Sequence, residues 1–134
     1  MRALIAIIAF TGLVACSSES GTGVQSHAGT YTLRTVNGVA LPYTIIQIDS
    51  TTRLELIDDA LTLTDAGTFT ESGHGRSTID GKVTTQANVA TGTFTLDGTA
   101  ITLRNNDPTS MATGTLSGTR LTLIQPGLTA VYEK

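Results

Sequence analysis

Residues 91–104 read TGTFTLDGTAITLR, two runs of alternating apolar and polar side chains around Asp97-Gly98. Asp-Gly between alternating runs favours a tight β-hairpin, because the turn needs backbone conformations that Gly and Asp tolerate. With Asp97-Gly98 as the two-residue loop, Leu96 pairs with Thr99 and Phe94 with Ile101. Phe94, Leu96, Ile101 and Leu103 then share one face, and Thr93, Thr95, Thr102 and Arg104 take the other. A one-residue slip would carry every apolar side chain to the wrong side, so the pattern constrains which face is which.

The same test works outward from that hairpin. A turn at Ser117-Gly118 groups Leu116, Leu121 and Leu123 with Ala112 and Gly114, and Pro126-Gly127 sets Leu123 opposite Ala130 and Leu121 opposite Tyr132. Asp65-Ala66-Gly67 suits a three-residue loop with a glycine bulge and pairs Leu63 with Phe69. Asn37-Gly38 ends a first strand over residues 29–36, and a strand near residues 43–48 follows. A further extended stretch covers residues 53–64, with Asp58-Asp59 expected to interrupt it as a turn rather than to form half of an acidic site. Residues 71–90 alternate weakly, with a turn at Asp80-Gly81.

About eight to ten short antiparallel strands result, with no helix-period segment of useful length. Composition agrees: 26 of the 134 residues are Thr and 14 are Gly, which favours strands and tight turns. An open sheet of this size would leave two edges and a half-covered apolar face, so the expected fold is all-β, a small antiparallel up-and-down β-barrel with its first and last strands paired. A two-sheet β-sandwich needs the same alternation and is the alternative.

The start of the chain reads as an address. Arg2 precedes an apolar run from Ala3 to Val14, too short to cross a bilayer and the right length for a signal-peptide core. Leu13-Val14-Ala15-Cys16 resembles the lipobox of bacterial lipoproteins. That resemblance implies diacylation of the Cys16 thiol, cleavage after Ala15 and acylation of the new amino terminus. Residues 1–15 are then a cleaved signal peptide, residues 16–28 a lipidated Ser/Gly-rich tether, and residues 29–134 the barrel domain. Ser17 resembles the outer-membrane sorting signal of diderm lipoproteins. Cys16 is the only cysteine, which suits a lipid rather than a disulfide. Loss of Arg2 takes the net charge from −3 to −4, and no Lys/Arg cluster supports nucleic-acid binding.

Several segments resemble small bacterial lipocalin-like envelope domains: Gly29-Thr30-Tyr31-Thr32-Leu33, Val36-Asn37-Gly38 with Leu41-Pro42, and Leu61-Thr62-Leu63 followed by Ala66-Gly67-Thr68-Phe69. Gly92-Thr93-Phe94-Thr95, Gly114-Thr115-Leu116-Ser117-Gly118 and Leu121-Thr122-Leu123 continue the likeness across nearly the whole mature chain. Tyr31 stands where lipocalins carry a Trp in their first strand. The resemblance implies an eight-stranded or similar barrel able to hold a small apolar molecule.

The expected inward, ligand-facing set is Tyr31, Leu33, Leu61, Leu63, Phe69, Phe94, Leu96, Ile101, Leu103, Leu116, Leu121, Leu123 and Tyr132. These side chains fill much of a barrel of this size, so a packed interior is expected over a preformed pocket of roughly 300 Å³ or more, with no inward charge. His74, between two glycines, reads as a solvated loop residue, and no residues have metal-ligand spacing. No nucleophile elbow, zinc-protease helix or phosphate-binding loop occurs, so no catalytic residue and no cofactor is assigned. The Thr-x-Thr pairs at 30/32, 62/64, 68/70, 93/95 and 113/115 read as solvent-facing strand positions. The implied partners are a membrane, through the lipid, and either a small apolar ligand or another envelope protein reached through loops 37–42, 73–76 and 105–110.

Overall fold

The computed structural model describes residues 26–107 and 110–134; the expected signal peptide, Cys16 and the expected tether up to residue 25 lie outside them. Ten strands follow one another: β1 (Gly29–Val36), β2 (Val39–Ala40), β3 (Tyr43–Gln47), β4 (Arg53–Leu63), β5 (Thr68–Ile79), β6 (Lys82–Asp97), β7 (Ala100–Asn105), β8 (Met111–Ser117), β9 (Arg120–Gln125) and β10 (Leu128–Glu133). They form a single antiparallel sheet in the order β2-β1-β10-β9-β8-β7-β6-β5-β4-β3. A second pairing of β1, with β4, closes this sheet on itself. The result is an eight-stranded up-and-down barrel of β1 and β4 to β10, with β2 and β3 added; one continuous sheet replaces the two-sheet alternative.

The faces fall as the alternation requires. Eleven of the thirteen expected inward residues are buried, and Phe94 and Leu96 are partly buried against them. Val36, Ala112 and Ala130 complete the buried set. The Pro126-Gly127 and Asp65-Gly67 turns give the expected registers, Leu123 with Ala130 and Leu63 with Phe69. At Asp97-Gly98 the pairing differs by two residues: Asp97 pairs with Ala100, Leu96 with Ile101 and Phe94 with Leu103. The loop is Gly98-Thr99, with Gly98 at φ 60°, so the positive-φ position falls on the residue without a Cβ. The shift keeps each face and frees Thr99 from facing Leu96. Ser117-Gly118 behaves alike: the loop is Gly118-Thr119, and Leu116 pairs with Leu121.

Two further expectations are corrected. Asp58-Asp59 does not interrupt a strand; β4 runs through it, with a bulge that leaves Ile57 without a partner between Leu56 and Asp58. Residues 71–90 form most of a long hairpin, β5 with β6, turned at Asp80-Gly81. Gly73 to Arg76 is therefore strand, and His74 is an exposed strand residue whose Nδ1 lies 2.8 Å from Asp58 Oδ1.

The two ends of the barrel differ. At one, Lys134 caps the interior: its ammonium donates to the Ala28 carbonyl and stands 5.7 Å from the centre of the Tyr31 ring, while Tyr31 donates its hydroxyl proton to the His27 carbonyl at 2.9 Å. At the other end β3, β4, β5 and β6 run on past the barrel as a ribbon. Its tips meet where the Gly81 amide donates to the Thr51 carbonyl at 3.1 Å. Outside this ribbon Glu55 accepts from Arg76 at 2.9 Å and sits 3.1 Å from Arg53.

Candidate functional site

The interior is not filled throughout. Tyr31, Leu63, Ile101, Leu116 and Leu121 pack the capped end, whereas the end from which the ribbon projects holds a cavity of about 340 Å³. Small residues explain the division: Gly73, Ala90, Ala112 and Ala130 all line that cavity, and none projects more than a methyl group into it. Leu33, Leu56, Leu61, Phe69, Leu103 and Leu123 supply most of its apolar wall. The expectation of a packed interior thus holds for one half of the barrel only. Of the expected inward residues, Leu33, Leu61, Phe69, Leu103, Leu123 and Tyr132 border the space.

Charge also enters the barrel, against expectation. Asp59 from β4 is 7% exposed, and Glu71 from β5 lines the same wall. Register brings them together: Asp59 pairs with Gly73 and Leu61 with Glu71, which makes the two carboxyls diagonal neighbours on one face. The Ile57 bulge positions them, because it resets the alternation so that both Leu56 and Asp59 face the cavity. Tyr132 from β10 then reaches past β1 and donates its hydroxyl proton to Asp59 Oδ2 at 2.6 Å. That bond crosses the closure of the barrel and ties β10 to β4.

Gly73 makes room for the cluster. A Cβ at this position would stand 2.6 Å from the Asp58 carbonyl and 2.7 Å from Asp59 Oδ1, so any side chain would push against the carboxylate or its strand. Asn88 and Asn105 add neutral polar groups to the lining.

Burial sets the protonation of the cluster. Glu71 is pushed up to about 7, mainly because desolvation penalises its charged form, with the neighbouring Asp59 charge and a hydrogen bond to Asp59 adding to it. Asp59 is also raised by burial, although the hydrogen bond from Tyr132 pulls the other way. Tyr132 is raised by burial and by the Asp59 charge beside it, so its hydroxyl stays a donor. Burial thus favours the neutral form of both carboxyls relative to an ordinary carboxylate.

Tyr132 belonged to the expected inward set, whereas the two carboxyls lay outside it. Glu71 has a readable signal, since Phe69, Glu71 and Gly73 occupy successive inward positions of one strand. Asp59 has none, because the bulge that sets its direction leaves no mark in the residue pattern. No family model matches the chain, nor does any curated protein or solved structure.

A pH dependence of stability follows. Both carboxyls bind protons more tightly folded than unfolded, so their stabilising contribution is complete below about pH 4 and declines as pH rises, for Glu71 through about 7. Glu55 and Asp49, held low by Arg76 and by the Thr51 amide respectively, act in the opposite sense but only below the ordinary carboxylate range. Urea unfolding at pH 5 and pH 8 is expected to show the protein less stable at pH 8 by about 2–3 kcal/mol. Glu71→Gln removes most of that difference; an unchanged difference in the variant would place its origin elsewhere.

Proposed function

We propose that this chain is a lipid-anchored protein of the bacterial cell envelope whose lipocalin-like barrel binds a small apolar molecule. The observation that carries the binding reading is the cavity of about 340 Å³, walled mostly by aliphatic side chains at one end of an otherwise packed barrel. Its size falls in the range of small-molecule sites. The role is one of binding, with no catalytic step.

The anchor rests on Leu13-Val14-Ala15-Cys16 after the apolar run from Ala3 to Val14. Each buried methylene contributes about 0.8 kcal/mol, so two or three acyl chains hold a protein at a bilayer where one binds only weakly. Ser17 points to the outer membrane in a diderm host. The other reading, a packed module that presents loops to an envelope protein, fits less well, since the interior is hollow at one end and residues 73–76 are strand.

Native mass spectrometry of the purified protein is expected to show a co-purifying small molecule. Leu103→Arg, which drives a guanidinium into the cavity wall, is expected to lose it while the β-type circular dichroism spectrum persists; repeated absence of any bound species from the unaltered protein would contradict the binding role. For the anchor, labelled palmitate is expected to attach to the chain in cells and to be absent from Cys16→Ser. Equal labelling of the two would rule out lipidation at Cys16.

A further inference from the structure

The polar corner of the cavity narrows the class of molecule that fits it. Asp59 and Glu71 place two carboxyls on one wall of the space, and Asp59 is almost wholly removed from water. A buried carboxylate ordinarily has a cationic partner, because taking the charge out of water costs several kcal/mol. Here the protein supplies none. No Lys, Arg or His lines the cavity among the described residues.

The nearby cations are engaged elsewhere. Arg53 and Arg76 hold Glu55 on the outside of the ribbon, and His74 meets Asp58 on the outer face of β4 and β5. Arg34 faces Glu133 at 3.7 Å with both side chains about half exposed, and Lys134 caps the opposite end of the barrel over Tyr31. Tyr132 gives the Asp59 carboxylate a hydrogen bond at 2.6 Å, which offsets part of its desolvation, but a neutral donor leaves the charge uncancelled.

That carboxyl lines the cavity beside Glu71. Oδ2 is taken by Tyr132, whereas Oδ1 lies beside Gly73, at the bare stretch of strand that itself lines the cavity. Glu71, two positions before Gly73 on β5, hydrogen-bonds the same carboxyl and shares its wall of the cavity. Apart from Asn88, Asn105, Ser110 and Gln125 the remaining wall is aliphatic and aromatic, suited to a hydrocarbon body. A metal ion is poorly served: among the described residues no three His, Cys, Asp or Glu side chains gather as ligands.

We infer that the cavity takes an apolar molecule ending in a protonated amine, whose ammonium group sits against Asp59 and Glu71 while its hydrocarbon part packs among Leu56, Leu61, Phe69 and Leu103. This rests on the binding role proposed above and adds the chemistry of the head group. An ammonium supplies both the missing charge and up to three N–H donors. An alcohol supplies a donor without the charge. A fatty acid would bring a third carboxylate to a wall that already holds two, and is disfavoured for that reason.

Three probes with one chain length separate these cases: decylamine, decanol and decanoate, each titrated calorimetrically into the purified protein at pH 7.5 below its micellar concentration. The expected order is decylamine tightest, by about tenfold or more over decanol, with decanoate weakest; a charge-assisted hydrogen bond exceeds a neutral one by roughly that margin. Asp59→Asn is expected to bring decylamine down to the level of decanol. Should that variant fail to fold, Ala90→Lys is the substitute. Ala90 pairs directly with Glu71, so a lysine there provides the counter-charge from the protein itself and abolishes the preference. Equal binding of decylamine and decanol, or tighter decanoate, would overturn the amine inference while leaving the apolar site in place. Failure of all three to bind would remove the binding role and the inference together.

Discussion

Strand β1 makes the rest of this molecule possible by pairing along both edges, with β10 on one side and β4 on the other. Without the second pairing the ten strands form an open, strongly twisted sheet with one apolar face in water. With it, that face becomes an interior. Tyr31 and Leu33 of β1 are fully enclosed as a result, Tyr31 opposite Leu61 of β4 and Leu33 opposite Tyr132 of β10. Closure also brings β10 within reach of β4, which is what allows Tyr132 to donate to Asp59.

The interior then solves two packing problems in different ways. At the capped end, large aliphatic side chains and Tyr31 meet and exclude solvent, giving the dispersion contacts and apolar burial on which a barrel of this size depends. At the other end Gly and Ala replace them, and the space they leave is bordered by a buried charge. Buried carboxyls and an unfilled apolar volume are each unfavourable for folding taken alone. Their coincidence in one place, with no Lys, Arg or His in the cavity lining among the described residues, supports reading it as a site whose last component is a ligand.

Much of the fold could be read from residue order because the period of two is enforced by burial. Thr93, Thr95, Thr113 and Thr115 lie on the solvent side, and Leu103, Leu116, Leu121 and Leu123 on the inside, as the alternation requires. Pairing was less legible than facing. A shift of two residues leaves every side chain on its own side, so at Asp97-Gly98 and Ser117-Gly118 only the backbone demand of the turn distinguishes one register from the next. The site was the least legible part. Ile57 reverses the alternation within β4, which sends Asp59 inward without any change in the residue pattern, and the cavity depends on small side chains from several strands lying at one level of the barrel. Neither property is local in sequence. Glu71 was available, two positions past Phe69 on an inward-facing run.

The central claim is that an apolar enclosure holds two interacting carboxyls at the hollow end of the barrel. Carbon-13 NMR of the Asp59 and Glu71 side-chain carboxyls, followed through a pH titration, reads that environment directly. Glu71 is expected to titrate with a midpoint near 7, with both carboxyl resonances responding to the same step because the groups interact. Independent titration of both in the ordinary carboxylate range, near pH 4, would mean that water reaches them freely and that no such enclosure exists.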